Sequence, residues 1–155
     1  MSQRELFPVA ERNITVYVDG ACSGNPGDAG CGAYFVIREE SAAEKEQFFS
    51  AYIGKATNNI AEYTALYLAL EALRAIPNAT IEVFTDSELM AKQLAGEYKV
   101  KNERIIPIFR KIKALLGKLN VDKIEHIPRE NNRIADRLAR RAIELGRLVG
   151  QSGRA

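Results

Sequence analysis

No stretch of this chain stays apolar for the roughly 18 residues that a membrane-spanning helix needs, so neither a membrane span nor a membrane partner is expected. Cysteine is scarce. Cys22 and Cys31 stand nine positions apart with no metal-type partner spacing around them, and both read as reduced core thiols. Histidine occurs once, as His126. Repeats, low-complexity tracts and linkers are missing, which leaves a single domain as the expectation. The first thirteen residues, MSQRELFPVAERN, mix charges of both signs and hold no apolar stretch, unlike a secretory signal; a cytoplasmic protein is expected.

What is present suits an ordinary globular chain. Its 155 residues are 46% hydrophobic and 27% charged, which excludes collagen-like, disordered and coiled-coil classes. At this length folding buries roughly 68–70% of the surface exposed by the unfolded chain, so stability needs no disulfide or structural metal. The net charge of +2 conceals an asymmetry. Residues 1–98 hold 7 Lys+Arg against 14 Asp+Glu, a net of −7, whereas residues 99–155 hold 15 against 6, a net of +9. A basic C-terminal portion beside an acidic remainder suits a nucleic-acid surface next to an acidic, metal-binding site; a solvated basic helix surface would give the same count.

Periodicity orders the elements. Ile14–Val18 is a β-rich run ending on Asp19-Gly20, the small and turn-prone stretch Ala21–Gly30 reads as a loop, and Cys31–Ile37 reads as a second strand. After the charged turn Arg38–Glu46, Gln47–Gly54 alternates as a third strand of an antiparallel meander. A helix from Asn58 or Asn59 to about Ala75 is stopped by Pro77-Asn78; Thr80–Thr85 makes a fourth strand, and Asp86-Ser87 opens a second helix to Leu94 or Ala95. A third helix is expected over Asn102–Leu116 with Pro107 in its first turn, a fifth strand over Val121–Ile127, and a last, Arg-rich helix over Asn131–Leu145. The order βββαβααβα predicts an α/β fold, a five-stranded mixed sheet flanked by helices. The domain spans residues 14–145, with an N-terminal extension 1–13 and a C-terminal tail 146–155.

Four acidic residues fall at the ends of these elements. Asp19 closes strand 1, Glu62 lies in the first turn of the first helix, Asp86 closes strand 4 and Asp136 lies in the first turns of the last helix. In such sheets ligands gather beyond the carboxyl ends of the strands, and strands 1 and 4 can be neighbours. Crowded carboxylates are relieved most directly by divalent cations, and oxygen-only ligation favours Mg²⁺ or Mn²⁺. Phosphodiester hydrolysis by two such ions roughly 3.5–4 Å apart is the matching chemistry. Each residue also has a plain explanation: Asp19-Gly20 as a turn, Glu62 completing a capping box with Asn59, Asp86 or Ser87 as a helix cap, and Asp136 pairing with Arg140.

Four segments taken together, Val18–Gly27 (VDGACSGNPG), Thr57–Glu62 (TNNIAE), Thr85-Asp86-Ser87 and Asn131–Ala139 (NNRIADRLA), resemble ribonuclease H of type 1 in order and spacing, over residues 14 to about 145. The resemblance implies a ribonuclease-H-like fold and an endoribonuclease that cleaves the RNA strand of RNA/DNA hybrids, leaving 5′-phosphate and 3′-hydroxyl ends. It implies two Mg²⁺, with Mn²⁺ as a substitute, held by Asp19, Glu62, Asp86 and Asp136. Asp19 would bridge both ions, Asp136 would help hold the ion that activates water, and Glu62 and Asp86 the ion at the leaving 3′ oxygen. Gly20, Ala21, Cys22, Ser23, Asn25, Asn58 and Asn59 would contact the hybrid, whose RNA strand is told from DNA by its 2′-hydroxyls, and Thr57 would help hold a DNA phosphate.

The chain departs from the family pattern in three places. Many members carry a basic helical protrusion where only Glu97–Glu103 intervenes here, so the chain resembles a shorter subgroup; Lys99, Lys101 and Arg104, with Lys111 and Lys113, are then candidates for phosphate contact. Many members place a catalytic His in the loop before the last Asp. His126 stands ten residues before Asp136 but inside an apparent strand, and Arg129, in the loop, is the better candidate for an electrostatic helper. Glu88 stands where many members have a Gln that touches substrate, and a carboxylate there would repel phosphate. A ribonuclease-H-like module that binds hybrids without cutting, a related exonuclease or strand-transfer enzyme, and a side activity on double-stranded RNA are the competing readings. A monomer is expected.

Overall fold

Alternation sets the first strand, β1 (Arg12–Gly24): Ile14, Val16 and Val18 turn to one face and are buried, while Tyr17 and Asp19 turn to the other. The computed structural model describes residues 10–152. Residues 1–9 of the expected N-terminal extension and 153–155 of the expected tail lie outside the described residues. β1 continues into β2 (Gly27–Glu39) and β3 (Lys45–Ala56), then α1 (Asn58–Leu73), β4 (Ala79–Thr85), α2 (Glu88–Leu94), α3 (Ile106–Leu116), β5 (Asn120–His126), a 3₁₀ turn (Arg129–Asn131) and α4 (Arg133–Ser152). The expected element order holds. The sheet order is β3-β2-β1-β4-β5, antiparallel from β3 to β1 and parallel from β1 through β4 to β5. No described helix is long and apolar enough to cross a membrane.

The core lies on the α1 face, where Val16, Val18 and Val83 meet Tyr63, Leu66 and Leu70, with Ile112 and Leu115 of α3 behind them. α4 covers the opposite face, packed on β2, β1 and β3 through Ala135, Ala139 and Ala142. Two glycines let both helices close on the sheet at one end. A Cβ on Gly20 would fall 2.3 Å from the backbone carbon of Ala61 in α1, and one on Gly32 would fall 2.3 Å from the carbonyl oxygen of Ala135 in α4.

The sequence reading needs four corrections. The stretch Ala21–Gly30 is a paired hairpin and not a loop: Ala21↔Gly30, Cys22↔Ala29, Ser23↔Asp28 and Gly24↔Gly27 extend the ladder, leaving Asn25-Pro26 as the turn. Small residues carry little strand propensity, but the flanking strands supply the hydrogen-bonded neighbours that override it. α3 starts at Ile106 and not at Asn102, because the Asn102 carbonyl and side chain accept from Ile105, Ile106 and Arg104 in a separate turn. α1 is capped by Thr57, whose hydroxyl accepts from the Ile60 amide at 3.3 Å, so Glu62 stands in the second turn. Last, α4 does not end at Leu145 but runs through Ser152, so residues 146–152 are helix and not tail. Gly146 lets Tyr52 lie against that extension.

Candidate active site

The plain explanations for the four carboxylates largely fail. Asp19 sits inside β1 and not in a turn; Ser87, not Asp86, caps α2 by accepting from the Met90 amide at 3.2 Å; and Glu62 is beyond reach of a capping box. Only the pairing of Asp136 with Arg140 is present, at 3.1 Å.

Instead the fold gathers the acids. β1 and β4 are adjacent and parallel, so Asp19 and Asp86 emerge side by side at their carboxyl ends. α1 closes over Gly20 and delivers Glu62 to the same point. One carboxylate oxygen from each of Asp19, Glu62 and Asp86 lies within 4.8 Å of the others. Asp136 stands outside this trio and joins it through a hydrogen bond to the Asp19 carboxyl.

The electrostatic cost of this crowding is visible. Burial first, then the charges of Asp86, Asp136 and Glu62 together with the hydrogen bond to Asp136, pushes Asp19 up to about 9. Burial also raises Glu62, opposed by a hydrogen bond from Ser87 and by the Arg129 guanidinium, and reinforced by Asp86. One oxygen of Asp86 is buried without a hydrogen-bond partner among the described residues. An all-oxygen set with an orphaned buried oxygen and an acid driven toward its neutral form fits a divalent cation.

Of the eight candidate substrate residues, Gly20, Ala21, Cys22, Ser23 and Asn58 line a cleft beside the acids, and Asn25, Thr57 and Asn59 do not. This cleft, of about 510 Å³, is lined by Asp19, Glu62 and Asp136 together with Ala21, Cys22 and Ser23 of the hairpin. Gly20, Asn58, Arg129 and Arg140 also reach it. Asn25 accepts from the Asn58 amide at 3.1 Å, and the Cys22 thiol donates to the Ala56 carbonyl at 3.1 Å, so the hairpin is tied to the start of α1. Asn58 and Asn59 are exposed there and Thr57 is the cap. His126, by contrast, ends β5 outside the cleft lining, close enough to Glu88 to help lower its carboxyl, although Lys92 at 2.9 Å does most of that. Lys99, Lys101 and Arg104 are exposed on the non-helical segment between α2 and α3 and form no ion pair among the described residues.

Two features of the site were not read from the sequence. Asn132, 1% exposed, donates its Nδ2 to the Val18 carbonyl at 2.9 Å and so ties the start of α4 to the strand that carries Asp19. Arg147 donates to Asp28 at 3.0 Å and to Ser23 at 2.7 Å, bracing both strands of the hairpin from the helix extension. The doublet Asn131-Asn132 ahead of a helix was the one local signal for the first; nothing local marks the second.

A mixed sheet with acids converging beyond its parallel centre, and a helix on each face delivering one more, defines the ribonuclease-H-like class of α/β fold. A family model described as Reverse transcriptase-like matches residues 17–142. Bifunctional protein Rv2228c of Mycobacterium tuberculosis is 35% identical over 133 residues, covering 84% of this chain and 35% of that protein, so the chain spans about a third of that relative's length. Ribonuclease HI of Halobacterium salinarum is 36% identical over 131 residues, covering 84% of this chain and 64% of that protein. Among solved structures, LC11-RNase H1 in complex with an RNA/DNA hybrid superposes with a TM-score of 0.76 at 40% identity, covering 86% of this chain and 98% of that one. The chain belongs to the ribonuclease H family, type 1.

Proposed function

We propose that this chain is an endoribonuclease that hydrolyses the RNA strand of RNA/DNA hybrids, leaving 5′-phosphate and 3′-hydroxyl ends. The observation that carries this reading is the trio Asp19, Glu62 and Asp86, of which Asp19 and Glu62 line a cleft shared with a side-chain-poor hairpin. The hybrid seen with the related LC11-RNase H1 supports the substrate. Asp19, Glu62, Asp86 and Asp136 would hold two Mg²⁺, or Mn²⁺, which would neutralise charge on the attacking water and on the leaving 3′ oxygen.

The protein's own groups do the rest. Backbone groups of Gly20–Ser23 and the amides of Asn25, Asn58 and Asn59 present donors and acceptors to 2′-hydroxyls across a wide minor groove. Thr57 meets a phosphate of the DNA strand. Arg129, already close enough to Glu62 to oppose its protonation, adds positive charge at the scissile phosphate. His126 has no part in the step. Lys99, Lys101 and Arg104 contribute salt-sensitive contacts farther along the hybrid. All four carboxylates come from one chain, and a monomer is the working unit.

The test is cleavage of an end-labelled RNA/DNA hybrid beside RNA/RNA, DNA/DNA and single-stranded RNA, with Mg²⁺, with Mn²⁺ and with EDTA. Hybrid-selective, EDTA-sensitive cuts with 3′-hydroxyl ends are expected. A hybrid that binds and stays intact in both metals would replace this reading with a binding module, and cuts in the RNA/RNA arm would add the side activity.

A further inference from the structure

The solvent face of α4 carries a row of arginines that the catalytic reading leaves unused. Arg133, Arg137 and Arg141 recur at four-residue spacing, so each residue follows the last by about 6 Å along the helix axis, comparable with the step between successive phosphates of one strand. All three are exposed, and none makes an ion pair or side-chain hydrogen bond among the described residues. Arg140, by contrast, is held by Asp136, and Arg147 by Asp28. Glu144 is the one acid on their side of the helix beyond Asp136.

These side chains line a groove of about 690 Å³ whose walls include Asp136 and Arg140. The same two residues line the catalytic cleft. Groove and cleft therefore adjoin at Asp136 and Arg140, and a strand seated over Asp19 would pass these two residues to reach α4. Three unpaired guanidinium groups in one groove repel one another, and an anion with repeating charge relieves that repulsion.

We propose that Arg133, Arg137 and Arg141 form a second contact for nucleic acid, holding the phosphodiester backbone of the substrate strand where it leaves the catalytic cleft. The inference rests on the hybrid reading above for the identity of the strand. It also accounts for the position of the positive charge in a chain whose α2–α3 connection contains no helix.

The experiment compares the wild-type protein with the triple variant Arg133→Gln/Arg137→Gln/Arg141→Gln on two hybrids, one cut back to the length of the cleft and one overhanging it on both sides, across a salt series. On the long hybrid the variant should show KM raised about tenfold or more at unchanged kcat. Its salt slope should be shallower by about 2 to 3, since each phosphate that is no longer neutralised removes about 0.7–0.9 from the slope. The short hybrid should show neither change. The triple Lys variant should keep most of the long-hybrid affinity, because it keeps the charge. Tm should stay level or rise in the Gln variant, since these three arginines hold no partner in the folded chain.

A wild-type KM and salt slope on the long hybrid would overturn the proposal. So would an equal rise of KM on both hybrids, which would mark a general field and not a local grip on the strand. Should the wild-type protein cut neither hybrid, the catalytic reading fails on its own. Fluorescence anisotropy of the long labelled hybrid then decides the groove: weaker, less salt-dependent binding by the Gln variant supports it and unchanged binding overturns it.

Discussion

Asn132 and Val18 are joined across 114 residues of sequence by a single buried hydrogen bond of 2.9 Å. The Asp136 amide in turn donates to the Asn132 carbonyl at 3.1 Å. The strand that ends in Asp19 and the helix that begins before Asp136 are thus fixed to each other through one side chain.

Replacing that side chain should therefore disturb both stability and the site. Asn132→Ala leaves the Val18 carbonyl without its partner, a loss of about 1–3 kcal/mol. For a chain of this size that is a Tm drop of roughly 2–4 °C per kcal/mol. kcat on the hybrid should fall more than KM changes, because Asp136 is displaced and the hairpin is not. Thermal unfolding with steady-state kinetics checks both, and an unaltered kcat would remove Asn132 from the positioning of the acids.

The acid cluster predicts an inverted pH response. Asp19 is raised from 3.8 to about 9 in the fold, so the stability associated with its neutral form is complete below about 3.8 and is lost as pH climbs through about 9. Asp19→Asn removes that dependence while abolishing cleavage. In EDTA the variant should melt several degrees above wild type at pH 8, with the gap closing toward pH 4. Mg²⁺ should raise the Tm of wild type much more than that of the variant. Parallel Tm curves from pH 4 to 8 would contradict the crowding described here.

Close approach of the helices gives a third expectation. Gly32→Ala sets a Cβ 2.3 Å from the Ala135 carbonyl and 2.6 Å from the Ala139 amide, both backbone atoms that can yield only if α4 moves. Overpacking of this kind costs about 1–3 kcal/mol or more, and activity should fall with it. Gly117→Ala, whose new Cβ meets nothing closer than 3.4 Å, should be neutral or stabilise by up to about 1 kcal/mol. Chemical denaturation of the pair checks the contrast.

Arg147→Ala should separate binding from stability. Its ion pair with Asp28 is half exposed, so unfolding should cost less than about 1 kcal/mol. The hairpin it braces carries Ser23 and leads to Asn25, so KM for the hybrid should rise severalfold at constant kcat. Hydrogen exchange at Ser23–Asp28 should quicken in step. Unchanged exchange there would mean the ladder alone holds the hairpin.

Strands with clear alternation, such as Ile14–Val18 and Thr80–Thr85, were legible because one face of each is buried; their order allowed Asp19 and Asp86 to be neighbours, and the parallel pairing of β1 with β4 makes them so. The hairpin Ala21–Gly30 was not. Its glycines and alanines signal turns locally, and only the presence of α1 over Gly20 and α4 over Gly30 and Gly32 shows that small size there serves packing. The extension of α4 was hidden for the opposite reason: Gly146 reads as a stop, whereas in the fold it makes room for Tyr52. Arg129 at the cleft and His126 away from it follow from where β5 ends, a boundary the sequence placed within one residue.

The last of the four acids to be synthesised lies on the last helix, and Arg147, which braces the hairpin, comes later still. Every strand of the sheet precedes α4 in the chain, so the scaffold that holds the first three acids is encoded ahead of the fourth.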